Sequence, residues 1–297
     1  MRETRIMSAV KAVRANEENE FNTLHHVYEP HKAGLPPIAP YLRELWRRRE
    51  FAKELSSSTM KAANSLTVFG QLWLVINPLL LALVYFLLVN VIAGGRPRGL
   101  EYFAHLTAGL FTFYLVSGSM ATGASSVVAG GKLLMNTSFP RLLMPLSAVR
   151  TAFFRFLPTL PIYFVIHLLA GNPIRWQTLT ALPFLAMLIG FSAGLAAFFA
   201  ALQVYFRDTT SFMPYFVRIW LYLSPVIWLV SEVPNSLKPF VLLNPVYPML
   251  GGFTEALVQG VVPAWPLWLA GTLYSIFFFV IGSLFFMSRE REFAVRL

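Results

Sequence analysis

Cysteine is absent from this chain of 297 residues, which excludes disulfides and thiolate-ligated metals and says nothing about redox compartment. Charge is scarce as well. Asp, Glu, Lys and Arg make up 13% of the residues, about half their share in an ordinary soluble domain. The first 66 residues hold no apolar run of the signal-peptide kind, so the N-terminus is expected to stay in the cytosol. No GxxxxGK[ST] loop occurs. The nearest fragment, Gly130-Gly131-Lys132, has Ser126 where the upstream glycine belongs and Leu133 where Ser or Thr belongs, so ATP is not bound here in that way. No Ser-His-Asp set or metal cluster is evident. His105 and His167 stand alone, and His25, His26 and His31 lack acidic or sulfur companions and read as surface histidines.

What is present is apolar sequence. Six long stretches lie at 67–93, 103–128, 142–170, 179–204, 212–230 and 265–287, each matching the roughly 20 helical residues that cross a bilayer core. The expected fold is an all-α membrane protein with six transmembrane helices. No carboxylate falls within any stretch. Proton- and sodium-coupled carriers hold their ion with intramembrane carboxylates, so ion coupling is disfavoured.

The net charge of +10 is unevenly placed. With the N-terminus inside, seventeen Lys and Arg fall on the cytosolic side and only Arg96, Arg98, Arg175 and Lys238 outside. Arg150, Arg155 and Arg218 lie within the stretches. The bias fits the positive-inside rule with both termini cytosolic and the chain multi-pass in the cytoplasmic membrane. It also makes a nucleic-acid reading of the basic charge unnecessary.

Three domains follow: a polar cytosolic arm over 1–39, an amphipathic interface helix with its linker over 40–66, and a membrane domain over 67–297. Between Pro40 and Ser58, Leu42, Leu45 and Trp46 share an apolar arc into which Arg48, Arg49 and Lys53 intrude. Such a helix suits the cytosolic interface, as an anchor or as a docking surface. Asn77-Pro78 breaks backbone pairing in the first stretch, so Asn77 should face protein or a cavity. Small residues crowd the second stretch, and Gly190 and Gly194 stand at GxxxG spacing in the fourth, for subunit contact or internal packing. In the third stretch Arg150 can snorkel to the interface and Arg155 cannot. Ser211, Tyr215, Arg218, Tyr222 and Pro225 fall on one face of the fifth, a stripe that is costly toward lipid. It suits a conduit wall, where rings stack on sugars and Arg218 meets phosphate, or an aromatic helix seam. Ser231–Ala264 is apolar but proline-broken and reads as short re-entrant external helices.

The segments LTVFGQLWLVINPLLLALV (66–84), FPRLLMPLSAV (139–149), YFRDTT (205–210), YLSPVIWLVSEV (222–233) and LLNPVYPM (242–249), in this order, resemble the ABC-2 permeases that export O-antigens, capsules and teichoic acids. The likeness runs from Pro40 onward. It implies a homodimer of six-span subunits that moves lipid-linked polysaccharide, with ATP and Mg bound by a separate ATPase subunit dimer. It implies ATPase coupling through Leu42, Leu45, Trp46 and Arg49 and through Lys132, Leu133, Phe139 and Arg141. Trp73, Asn77, Tyr215, Arg218 and Tyr222 would line the glycan conduit, and Phe240, Asn244, Pro245, Tyr247 and Phe253 would form the external gate. The wording around FGQLWLVINPLLL is similar to actinobacterial cell-wall galactan exporters. An exporter of small amphipathic molecules or drugs, and a membrane scaffold or lipid-processing enzyme, stay open as alternatives.

Overall fold

Apolar runs of this length form helices because a helix pairs its interior backbone N–H and C=O groups within the segment. A computed structural model describes residues 34–297, apart from 65–68, 93–97, 132, 134–136, 235, 237 and 297. Lys132 and the three histidines before residue 34 lie outside the described residues, as does nearly all of the expected polar arm.

In chain order the helices are α1 (Ile38–Arg47), α2 (Arg49–Asn64), α3 (Trp73–Leu87, led by a 3-10 turn and followed by a π turn to Ile92), α4 (Leu100–Ala129), α5 (Leu143–Phe156), α6 (Thr159–Leu169), α7 (Ala181–Tyr205), α8 (Thr209–Leu223), α9 (Lys238–Val241), α10 (Tyr247–Thr254), α11 (Trp265–Arg289) and α12 (Phe293–Arg296). Among the described residues, four helical stretches are long and apolar enough to cross a bilayer: Gly70–Val91, Leu143–Leu169, Trp176–Tyr205 and Trp265–Arg296. The second and fifth expected spans are helices of another kind. α4 has 30 residues, but small and hydroxyl side chains dilute its apolar character and neighbours bury more than half of it. α8 has only 15 residues, about 22 Å of rise. It stops because Pro225 drives the preceding residue out of the helical region, and Ser224 stands at ψ 145°.

The helix expected over 40–58 is broken in two at Arg48 (φ −96°, ψ 18°). The break lets the two pieces face different partners. Tyr41 and Leu45 of α1 pack against a cluster built from Val127, Leu142, Ala197, Val204 and Phe286. α2 runs along α5, with Ala52 and Ser56 buried and Thr151 Oγ1 donating to Ser56 Oγ at 2.9 Å.

α7 is the centre of the bundle, packed on α4, α5, α10 and α11. Small residues permit this. A Cβ on Gly194 would collide with the Phe278 backbone of α11, one on Gly282 would collide with Gly194, and one on Gly123 would stand 2.6 Å from Ala196 Cβ. The GxxxG face is thus spent on internal packing, where backbones approach closely and dispersion contacts accumulate. At one end α1, α2, the turn at 137–142, the turn after α7 and α12 gather. At the other, Arg98 pairs with Glu232 at 2.7 Å and lies over the Tyr102 ring.

Gly194→Val is expected to destabilise the chain by about 1–3 kcal/mol or to abolish folding, because a β-branched side chain must displace α11 backbone. Gly118→Ala, whose Cβ would meet only Ala152 Cβ at 3.8 Å, is expected to leave thermal unfolding in detergent nearly unchanged. Equal melting temperatures for the two variants would contradict the packing.

Candidate functional site

The end that carries α1 and α2 is stitched across long sequence distances. Tyr41 Oη donates to Glu290 Oε2 at 2.6 Å, and Arg141 Nη1 donates to the Glu290 carbonyl. Burial, and after it the Glu290 carboxylate, pushes the Tyr41 phenol well above its usual range, so it remains a proton donor. Arg48 Nη1 donates to the Ser138 carbonyl at 2.5 Å, and the Phe51 and Phe139 rings meet at 4.5 Å. The two expected coupling elements, the interface helices and the loop ending at Arg141, are therefore in direct contact. Within them Leu45 and Phe139 face inward, while Leu42, Trp46 and Arg49 are exposed, the last two stacked at 4.8 Å. Leu133 is half-buried.

α8 divides its sides sharply. Met213, Trp220 and Leu221 are buried, with Trp220 edge-on to Phe113 and Phe191. Ser211, Tyr215, Arg218 and Tyr222 are exposed, Tyr215 at 66%. Pro225, the last member of the stripe, is buried. Tyr222 reaches α3, where its ring meets Tyr85 at 6.3 Å and the hydroxyls stand 3.5 Å apart. Trp73 and Asn77 are elsewhere. They line a cavity of about 250 Å³ with Tyr114 and Thr122 of α4 and Arg155 of α5, and none of the α8 stripe contributes to it. The five expected conduit residues thus form two groups.

In the outer stretch Phe240 is 64% exposed, whereas Tyr247 and Phe253 are buried, the latter 6.4 Å from Phe156. Asn244 is a staple. Its Oδ1 accepts from Trp220 Nε1 at 2.8 Å and from the Val246 N–H, and its Nδ2 donates to Ser224 Oγ at 3.0 Å. Pro245 follows half-buried, and α10 starts with Pro248 in its first turn, where the missing N–H costs nothing. The helix continues as a π turn to Gln259 and ends at Gly260, whose φ of +61° favours glycine.

The chain is 28% identical over 256 residues to an O-antigen export system permease protein RfbA of Myxococcus xanthus, a match that covers 85% of this chain and 97% of the relative. It is 26% identical over 209 residues to a protein of the same name from Klebsiella pneumoniae, covering 70% and 80%. The chain is thus similar to O-antigen export permeases over most of its length. No family model matches it.

Sequence reasoning overlooked Glu290 and Phe51 as parts of this stitched end. Nothing local marks them, since their partners lie far along the chain. Arg48 did leave a signal. A cation intruding on an apolar arc needs an acceptor there, and the Ser138 carbonyl supplies it. Tyr41→Phe leaves the buried Glu290 carboxylate without its donor, and is expected to cost about 1–3 kcal/mol locally. Hydrogen exchange of residues 38–47 should speed up while α7 stays protected. Unchanged exchange in α1 would show that the contact holds nothing.

Proposed function

We propose that this chain is the membrane subunit of an ATP-driven exporter that moves lipid-linked polysaccharide across the cytoplasmic membrane, galactans being one candidate class. The observation that carries the reading is the uncovered polar-aromatic face of α8. Arg218 and two tyrosines stand exposed there, while Met213, Trp220 and Leu221 are buried. Turned toward lipid, Arg218 alone would cost about 2.5–3.5 kcal/mol. A second copy presenting the same stripe removes that cost by enclosing a wet conduit between the two. Tyrosine rings stack on sugar faces without gripping any one of them, which suits a sliding polymer.

In this reading α4 and α8 join the four long apolar stretches to give six crossings, and both termini lie in the cytosol with the arginine-rich end. An ATPase dimer, supplying ATP and Mg, docks on α1, α2 and the loop that ends at Arg141. Contacts such as Phe51 to Phe139 would pass its motion into the bundle. The short helices α9 and α10, as re-entrant segments, form the outer gate, with exposed Phe240 at the passage. The names of the relatives support the export assignment.

Purification from native membranes in mild detergent should bring down an ATPase subunit in roughly equal amount. A preparation that holds no ATPase even after crosslinking would overturn the exporter reading. Tyr215→Ala and Tyr222→Ala should each lower glycan export by roughly three- to tenfold at unchanged protein level, the worth of one stacking contact. Export at the wild-type rate in the double variant would remove α8 from the conduit.

A further inference from the structure

Three arginines lie in apolar helices, and one of them has visible compensation. Arg150 lies over the Phe154 ring at 4.5 Å and donates to the Lys53 carbonyl of α2 at 3.2 Å. Arg218 is on the open face of α8. Arg155 has neither. It stands twelve residues beyond Leu143, roughly 18 Å along α5. Among the described residues it forms no ion pair and no hydrogen bond.

Its surroundings have the chemistry of an anion receptor. Arg155 lines the cavity shared by α3, α4 and α5, and no carboxylate contributes to the wall. Trp73, Asn77 and Tyr114 each bring a donor that, among the described residues, no acceptor takes up. Thr122 and Thr159 spend their protons on nearby backbone, on the Gly118 and Phe156 carbonyls. One cation and three free neutral donors in a largely apolar cavity lack only the anion. Phe111 and Phe156 supply an apolar wall for whatever the anion carries. The cavity also lies toward the end that bears α2, since Gln71, just before α3, donates to the Met60 carbonyl at 3.4 Å.

We propose that this cavity is a phosphate subsite, in which Arg155, Trp73, Asn77 and Tyr114 hold the phosphate of a polyprenyl-linked substrate as it enters from the cytosolic leaflet. The proposal rests on the exporter reading for its direction and its substrate class. Trp73 and Asn77 thereby act on the carrier phosphate, and the α8 stripe acts on the sugar chain.

The test is equilibrium binding to the full chain in maltoside micelles, which contain no phosphate. The probes are undecaprenyl phosphate, undecaprenol, phosphatidylglycerol and inorganic phosphate. Undecaprenyl phosphate should bind and undecaprenol should not. Arg155→Gln should weaken binding by roughly ten- to hundredfold, the worth of charge-assisted hydrogen bonds, and Arg155→Lys should recover part of the loss. Unchanged affinity in Arg155→Gln, or equal binding of the alcohol, would overturn the subsite. Equal affinity for phosphatidylglycerol or for inorganic phosphate would overturn the carrier assignment and leave a general anion site. If Arg155→Gln does not fold, Trp73→Phe removes one donor at no cost in charge. It should weaken binding severalfold, and wild-type affinity there would again overturn the proposal. The two readings fail separately. Phosphate affinity that ignores Arg155 in a preparation still carrying its ATPase sinks the subsite alone, whereas loss of the ATPase sinks the exporter.

Discussion

An arginine inside an apolar helix must find water, protein acceptors or an anion, and much of this molecule is arranged by how three arginines meet that demand. Arg150 is answered by α2, which fixes the interface helix along α5. Arg218 stays on an uncovered face of α8, and that calls for a partner surface or an aqueous passage. Arg155, half-buried, lines a cavity with the neutral donors Trp73, Asn77 and Tyr114. No carboxylate lies in the apolar stretches to neutralise any of them. Among the described residues Arg155 and Arg218 therefore stand without a countercharge, which is costly in hydrocarbon.

Around these charges the helices are held rigidly. α7 and α11 touch backbone to backbone at Gly194 and Gly282, so they cannot slide without separating. The α1–α2 end is tied to the C-terminal turn through Tyr41, Glu290 and Arg141, and to the loop before α5 through Arg48 and Phe51. A push on α1 is thus delivered to several helices together. The proposed conduit face of α8 has few such ties, apart from the Asn244 staple at its far end. The contrast between a stapled base and a sparsely held α8 is what a gated passage needs.

The sequence made the helical segments legible because apolar runs admit little else in a membrane. It also made legible the close approach at Gly190 and Gly194 and the cavity position of Asn77. The break at Arg48 was hidden, and one acceptor that Arg48 meets there lies ninety residues away. The early stop of α8 was readable in Ser224-Pro225, but the apolar residues that follow masked it. The proline-broken stretch Ser231–Ala264 read as short helices without legible bounds, and α10 runs from Tyr247 to Thr254. Hydropathy could not separate Tyr247 and Phe253, which are buried, from Phe240, which is exposed. Only the neighbours decide which apolar side chain faces inward.

The central claim is that the α8 stripe faces water in the assembled protein. The natural absence of cysteine makes the measurement clean. Single cysteines at position 215 and at position 276, the latter 57% exposed on α11, would be treated in native membranes with a water-soluble maleimide, which needs an ionised thiol. The account predicts fast labelling at 215 and little at 276. Equal, negligible labelling at both positions would place Tyr215 in lipid and contradict the conduit.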